Sequence, residues 1–189
     1  MASGGIFSPF GSHKVAINSV PLEFLPDFSL CKLQTLTLDL NGVAKGYIVD
    51  RVATLLAQNP LHTGCVNAGG DLRFFNSASE HTLELRLGPL AAPILRPLTT
   101  TAGCMATSSP SVAHADLHST THYLLPLREP LSSNHSAVVL AHDCASADAL
   151  TKVALFADPT AIERCAHDRG ARILLFDAAG ELCESYGVA

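Results

Sequence analysis

The most constraining feature of this sequence is a strand pattern that breaks at two turn-forming residues and gives way at once to a helix pattern. From Thr35 to Leu40, polar and apolar side chains alternate as they do in a half-buried strand. Asn41-Gly42 interrupts the alternation, and from Lys45 to Gln58 apolar residues recur at helical spacing until Pro60. The fold must therefore accommodate a helix that begins almost directly after a strand.

Elsewhere the chain carries more strand patterns than helix patterns. Strands are predicted from Cys65 to Asn67, Ser136 to Ala141, Ala171 to Phe176 and Glu181 to Tyr186, with a strand pair formed by Leu72 to Phe75 and Thr82 to Leu87. Helices are predicted from Ala147 to Phe156 and from Thr160 to His167. Residues 88–98, with three prolines, are predicted as a loop, and Thr99 to Leu131 as mostly irregular. This mixed order predicts an α+β fold with helices packed on a mainly antiparallel sheet.

Composition narrows the classes of function. With 48% hydrophobic residues the chain can bury a core, and its short apolar runs predict no membrane span. The net charge of −5 and the lack of a Lys/Arg cluster argue against nucleic-acid binding. The six widely spaced cysteines form no CxxC pair, so buried reduced thiols are expected.

Two glycine-containing turns are candidate sites for an anion. Asn41 to Tyr47 joins the predicted strand to the first helix, where free N–H groups, the helix dipole and Lys45 suit a phosphate. Asn67 to Asp71 ends a strand, and its backbone N–H groups would form an anion nest. Either turn taken alone is more often only a turn.

Five segments in the right order resemble the FAD:protein FMN transferases, the ApbE-like family. They are GGIFSP at 4–9, LDLNGVAKGYIVDR at 38–51, NAGGD at 67–71, MATS at 105–108 and ADAL at 147–150. The resemblance implies a single ApbE-like, T-fold-like α+β domain over residues 1–189 that lacks the family's N-terminal part. It also implies that FAD is bound by its pyrophosphate and that FMN is transferred, with Mg²⁺, to a Ser or Thr hydroxyl of an acceptor protein, releasing AMP.

The resemblance also implies which residues hold the metal. In the family, Mg²⁺ is held by the aspartate of ADAL, a threonine four residues later and the alanine carbonyl of the AKG turn. Here these positions are Asp148, Lys152 and Ala44, so the threonine is missing. Two alternatives stay open: Thr151, on nearly the same helix face, reaches the metal, or the Lys152 ammonium occupies the place of the cation. Without a ligand, Asp148 would only stabilise the helix dipole.

His122 is the candidate general base, together with Asp148 as a catalytic residue. The family places a catalytically important histidine four residues before a proline, and His122 keeps this spacing to Pro126, although Leu125 replaces the family's aspartate. A partly exposed loop histidine is the alternative. A zinc site formed with His114 and His118 is disfavoured because helix-breaking residues surround them.

The flavin-nucleotide contacts carried over from the family lie in the glycine turns and the MATS segment. They are Lys45, Gly46, Asn67, Ala68, Gly69, Gly70, Asp71 and Ser108. Asp50 and Arg51, one helix turn after the AKG turn, are predicted to form a structural pair on the helix surface.

Two hypotheses therefore stand. The first is an active transferase, and the second is a catalytically impaired protein that binds flavin or a partner on the same fold. A homodimer that completes the pocket is a further possibility under either hypothesis. The chain as given predicts a cytoplasmic location, whereas a missing export signal would make the protein periplasmic or membrane-anchored.

Overall fold

The computed structural model describes residues 22–26, 29–33, 35, 40–60, 62–87, 93–109 and 135–187. Within these ranges the strands are β1 Leu22–Phe24, β2 Leu30–Lys32, β3 Gly64–Ala68, β4 Asp71–Phe75, β5 His81–Leu87, β6 Ile94–Thr100, β7 Cys104–Ser108, β8 Ser136–Ala141, β9 Arg172–Phe176 and β10 Leu182–Gly187. The helices are α1 Ala44–Ala57, α2 Cys144–Phe156 and α3 Pro159–Asp168. No helix of the described ranges is long and apolar enough to cross a bilayer.

The described residues fall into two compact units. The smaller one contains the antiparallel β1–β2 hairpin, with Leu22 opposite Lys32. The larger one, which starts at Leu40, contains all the other elements. Whether the chain is a single domain stays a prediction.

A six-stranded sheet with the order β10-β9-β8-β7-β4-β3 forms the centre of the larger unit. All five neighbouring pairs in it are antiparallel, which confirms the predicted α+β class. The central strand β8 is buried along its whole length because both faces of the sheet are covered. Its alternate residues therefore belong to different cores: Val139 faces one core and Val138 the other.

The helices cover one face and a hairpin covers the other. α2 and α3 pack on the face that presents Ala137, Val139 and Ile173. The β5–β6 hairpin contributes Leu85 and Leu87 to the core on the opposite face. Three layers result, and the middle layer carries the strands that end at the glycine turn.

Two predictions about strands were wrong. β4 does not pair with β5: it pairs with β3 and β7, while β5 pairs with β6 in a separate two-stranded sheet. Part of the predicted loop at 88–98 belongs to β6, where Pro97 lies opposite Glu84. A two-stranded sheet has an outer edge at which a proline loses no ladder hydrogen bond, so Pro97 is tolerated.

The stretch from Thr99 to Leu131 was expected to be mostly irregular, and its residues 110–131 lie outside the described ranges. β7 lies within it and pairs with both β4 and β8. The predicted strand from Thr35 to Leu40 falls mainly on residues outside the described ranges. The three helices and strands β3, β8, β9 and β10 are confirmed, with ends shifted by a few residues.

Candidate functional site

Three segments far apart in the sequence meet at the start of α1. The ammonium of Lys45 lies 3.0 Å from a carboxylate oxygen of Asp71, which opens β4. The backbone N–H of the next residue, Gly46, donates to the carboxylate of Asp148 on α2 at 3.1 Å. The AKG turn, the NAGGD turn and the ADAL segment therefore form one cluster.

Gly46 makes this meeting possible. A Cβ at this position would lie 2.2 Å from the carbonyl oxygen of Cys144 and 2.9 Å from the Cα of Ala145. Only a glycine lets α1 approach the start of α2 so closely. The short separation brings the Gly46 N–H within reach of the Asp148 carboxylate.

Asp148 is buried, and both of its carboxylate oxygens are engaged. Oδ2 accepts from Gly46, and Oδ1 lies 2.5 Å from the ammonium of Lys152. The Asp148 side chain is only 1% exposed, whereas that of Lys152 is 25% exposed. The acid precedes the base by four residues on one helix, which is the favourable order for such a pair.

The Thr151 hydroxyl also has a hydrogen-bond partner within the protein. Thr151 is fully buried, and its hydroxyl donates to the backbone carbonyl of Asp148 at 2.7 Å. Ala44, the third metal ligand implied by the resemblance, is the first residue of α1.

Asp71 is a buried carboxylate of the cluster whose pKa is shifted. It is fully buried, and its partner among the described residues is the Lys45 ammonium at 3.0 Å. Burial raises the pKa of Asp71 to about 6, against the lowering effect of Lys45, and the neighbouring Asp148 charge raises it further.

The start of α1 is a less open anion site than the sequence suggested. The N–H groups of Val43 and Ala44 both donate to the carbonyl of Leu40, at 3.0 and 2.8 Å. The Gly46 N–H is taken by Asp148. No side-chain hydrogen bond caps the helix at Val43, and the Asp148 carboxylate, which accepts the Gly46 N–H, lies at the positive end of its dipole.

Gly69 and Gly70 form the two-residue turn of the β3–β4 hairpin. Both have positive φ, at 62° and 99°, which side chains disfavour. The Gly70 N–H donates to the side-chain oxygen of Asn67 at 3.0 Å, and Ala68 lies opposite Asp71 across the turn. A Cβ on Gly70 would lie 2.4 Å from the Thr107 hydroxyl, whereas one on Gly69 would meet no atom within 4 Å. Gly69 is therefore the open position of the turn.

A cleft of about 670 Å³ lies beside this turn. Its lining includes Asn67, Gly69, Gly70, Leu72, Thr82, Leu85, Met105, Thr107, Ser108 and Ser136. The predicted contacts Asn67, Gly69, Gly70 and Ser108 thus share one cavity. A volume of this size is typical of small-molecule sites.

Ser136 and Thr107 were not predicted from the sequence. Ser136 is only 3% exposed, and its hydroxyl has no hydrogen-bond partner among the described residues. A buried hydroxyl without a partner is costly unless a ligand or water supplies one. Ser136 carries no sequence signal beyond its place at the start of a predicted strand.

The residues of the cluster do not fit a divalent cation as they stand. Asp148 is paired with Lys152, Thr151 bonds to the backbone, and Lys45 balances Asp71. Two aspartates face two lysines, so no net negative charge is left for Mg²⁺. In the described part of the chain, no three His, Cys, Asp or Glu residues are grouped so that they could hold a metal.

The remaining candidates lie elsewhere. His122, with His114 and His118, falls within residues 110–134, outside the described ranges. Asp50 does not pair with Arg51: its carboxylate lies 2.6 Å from Arg73 and also accepts the N–H groups of Cys144 and Ala145.

The larger unit is thus a three-layer α+β structure with a polar cluster at the start of α1 and a cleft beside the NAGGD turn. The model of the ApbE family matches residues 8–175. The chain belongs to the ApbE family. No curated protein matches it significantly.

Three solved structures have a similar fold. The ApbE protein of Thermotoga maritima is 22% identical with a TM-score of 0.64, over 87% of this chain and 56% of its own. The flavinyl transferase ApbE of Pseudomonas stutzeri, in its apo form, is 20% identical with a TM-score of 0.57, over 88% and 56%. The flavin transferase ApbE of Vibrio cholerae is 17% identical with a TM-score of 0.59, over 89% and 56%. The present chain therefore spans just over half the length of each.

Proposed function

We propose that this protein binds FAD by its pyrophosphate and transfers the FMN half to a Ser or Thr hydroxyl of an acceptor protein, releasing AMP. The observation that carries the proposal is the meeting of three family segments in one cluster, through Lys45–Asp71 and Gly46–Asp148. Family membership over residues 8–175 supports it, as does the neighbouring cleft. FAD is the proposed donor, and a flavin-acceptor protein is the proposed partner.

The reaction is a phosphoryl transfer. The acceptor oxygen attacks the phosphorus of the FMN half, the bond to the bridging oxygen breaks, and AMP leaves with the electron pair of that bond. The hydroxyl proton passes to a base, for which His122 stays the prediction. Such a reaction depends mainly on positioning and on positive charge around the phosphates.

The described residues offer positive charge to the phosphates and let them approach the backbone. Lys45 and Lys152 border the cluster, and their side chains are 41% and 25% exposed. The open side of Gly69 permits close approach of a phosphate to the backbone. Ser108 lines the cleft, and the Ser136 hydroxyl, which has no hydrogen-bond partner among the described residues, offers a hydrogen bond there. The Mg²⁺ dependence that the resemblance implies is tested below by the comparison of Mg²⁺ with EDTA.

A second candidate is flavin binding without transfer. The ion pair between Lys152 and Asp148 favours it, because it occupies the carboxylate that the resemblance assigns to the metal. The two functions differ in one product: only the transferase forms AMP.

The test is incubation with FAD and a pool of synthetic Ser/Thr peptides, with Mg²⁺ and with EDTA. A transferase yields AMP together with peptides that carry covalent flavin, whereas FAD binding without AMP supports the second candidate.

Lys45→Met should weaken FAD binding by about 1–3 kcal/mol through loss of a charged contact. Arg169→Met, at an exposed position just after α3 that does not line the cleft, is the control and should bind FAD as the parent does. Absence of FAD binding in the parent would contradict both functions.

A further inference from the structure

The misfit between the cluster and Mg²⁺ has a specific cause at Lys152. Its ammonium lies 2.5 Å from Asp148 Oδ1, on the side of the carboxylate that Gly46 leaves unused. A divalent cation that used this oxygen would have to displace the ammonium or lie beside it. Displacing the ammonium breaks the ion pair, and a cation beside it brings two positive charges together.

We propose that the Lys152 ammonium takes the position of a divalent cation beside Asp148, so that the site is charge-balanced and binds its ligand without bound metal. This proposal deepens the proposed function and rests on it only for the identity of the bound ligand, the pyrophosphate of FAD.

The position of Lys152 is well defined by its neighbours. Its aliphatic stem runs past Gly42, since a Cβ on Gly42 would lie 3.8 Å from both Cγ and Cε of Lys152. The turn before α1 therefore leaves room for the lysine chain, and the ammonium lies between that turn and α2. Because Lys152 follows Asp148 by four residues on α2, helix geometry brings the two side chains together.

The balance of charges in the cluster also indicates that Lys152 takes the place of a divalent cation. Asp71 and Asp148 interact electrostatically, and each has one lysine at 3.0 Å or less. Removal of the Lys152 charge would leave two carboxylates with Lys45 alone. The site would then be negative and, with Asp148 Oδ1 free, would attract a hard divalent cation.

The decisive measurement is Mn²⁺ affinity, by electron paramagnetic resonance, and Mg²⁺ affinity, by calorimetry, in the complete chain without FAD. Lys152→Thr should gain affinity on the order of ten-fold or more over the parent, as expected when a like charge is removed from a partly buried site. Lys152→Arg keeps the charge and should bind metal as weakly as the parent. Lys152→Gln removes the charge without the threonine hydroxyl and should show a smaller gain than Lys152→Thr.

A second arm measures FAD affinity in Mg²⁺ and in EDTA. The parent should bind FAD equally in both, and Lys152→Thr should bind it more tightly in Mg²⁺ than in EDTA. If the parent binds no FAD, the proposed function fails, while a gain of metal affinity in Lys152→Thr still supports the inference. Equal metal affinity in the parent and in Lys152→Thr, both folded by circular dichroism, overturns it.

Discussion

At the residue scale, Asp71 is a fully buried carboxylate whose pKa burial raises to about 6. Its partner among the described residues is the Lys45 ammonium, at 3.0 Å. Structural cores rarely keep such a group, whereas ligand sites frequently do. The raised pKa of Asp71 therefore marks the cluster as a candidate functional site.

Stability should fall as pH rises through the titration range of Asp71. Its folded pKa of about 6 lies above the ordinary value of 3.8, so between these values the folded state binds more protons than the unfolded state. The stabilisation is complete below pH 3.8 and is lost as pH rises through 6. The free energy of unfolding of Asp71→Asn, relative to that of the parent, should therefore rise by about 2–3 kcal/mol between about pH 4 and pH 7. One pKa unit corresponds to about 1.4 kcal/mol.

Urea denaturation of the parent and Asp71→Asn at closely spaced pH values measures this gain directly. All other titrating groups cancel in the difference between the two proteins as long as the variant keeps the same fold. A difference that stays constant from about pH 4 to pH 7 would show that the Asp71 pKa is not raised.

The residue types of the site are readable from the sequence, but their pairings are not. The glycine turns and the ADAL segment point to Lys45, Asp71 and Asp148 by sequence pattern alone. The burial of Asp71 and the closure of Gly46 on Cys144 follow from the crossing of two helices, which no local pattern encodes. Ser136 escapes prediction because a single serine at a strand end carries no signal.

At the element scale, Asp50 joins α1 to the start of α2 and to β4. Its two carboxylate oxygens accept the N–H groups of Cys144 and Ala145 at 3.0 and 2.9 Å, and Arg73 reaches the same carboxylate at 2.6 Å. Free N–H groups at a helix start are satisfied here by a carboxylate from another helix. The AKG turn and the ADAL segment are thereby held at a fixed separation.

Arg73 and Arg51 offer a matched pair of variants for this connection. Arg73→Met should destabilise the fold by about 1–3 kcal/mol, because it leaves the half-buried Asp50 without its charged partner. Arg51→Met should change stability by less than about 0.5 kcal/mol, since Arg51 is exposed and forms no ion pair within the described ranges. Thermal and urea unfolding of both variants measures the contrast. Equal losses would restore the predicted Asp50–Arg51 pair and remove the structural role of Arg73.

Helices were predicted better than strands for a physical reason. Helix periodicity and caps are local: the Asp143 and Asp158 side chains accept the N–H groups of Ser146 and Ala161 and fix the starts of α2 and α3. Strand partners are not local. β7 pairs with β4 and with β8, and the latter begins almost thirty residues after β7 ends, so its short Ser- and Thr-containing sequence became a strand only through its neighbours.

At the scale of the larger unit, the three-layer arrangement explains where the cleft lies. The β5–β6 hairpin covers one face of the six-stranded sheet and contributes Leu85 to the cleft, while the NAGGD turn contributes Gly69 and Gly70. The hairpin was predicted with the wrong partner, so the cleft was not predictable as a cavity. What the sequence did predict was a set of residues that meet at one side of it.

Ligand binding should stabilise this whole unit, and the pattern of ligands reveals what is recognised. A ligand that binds only the folded state at about 100 times its dissociation constant adds about 2.7 kcal/mol to stability. If the pyrophosphate is recognised, FAD and ADP should both raise the melting temperature, and riboflavin, which has no phosphate, should raise it far less at the same concentration. Lys45→Met should reduce the shift with FAD and ADP, whereas Arg169→Met should leave it unchanged. A riboflavin shift as large as that of FAD would show that the ring system, and not the pyrophosphate, holds the ligand in the cleft.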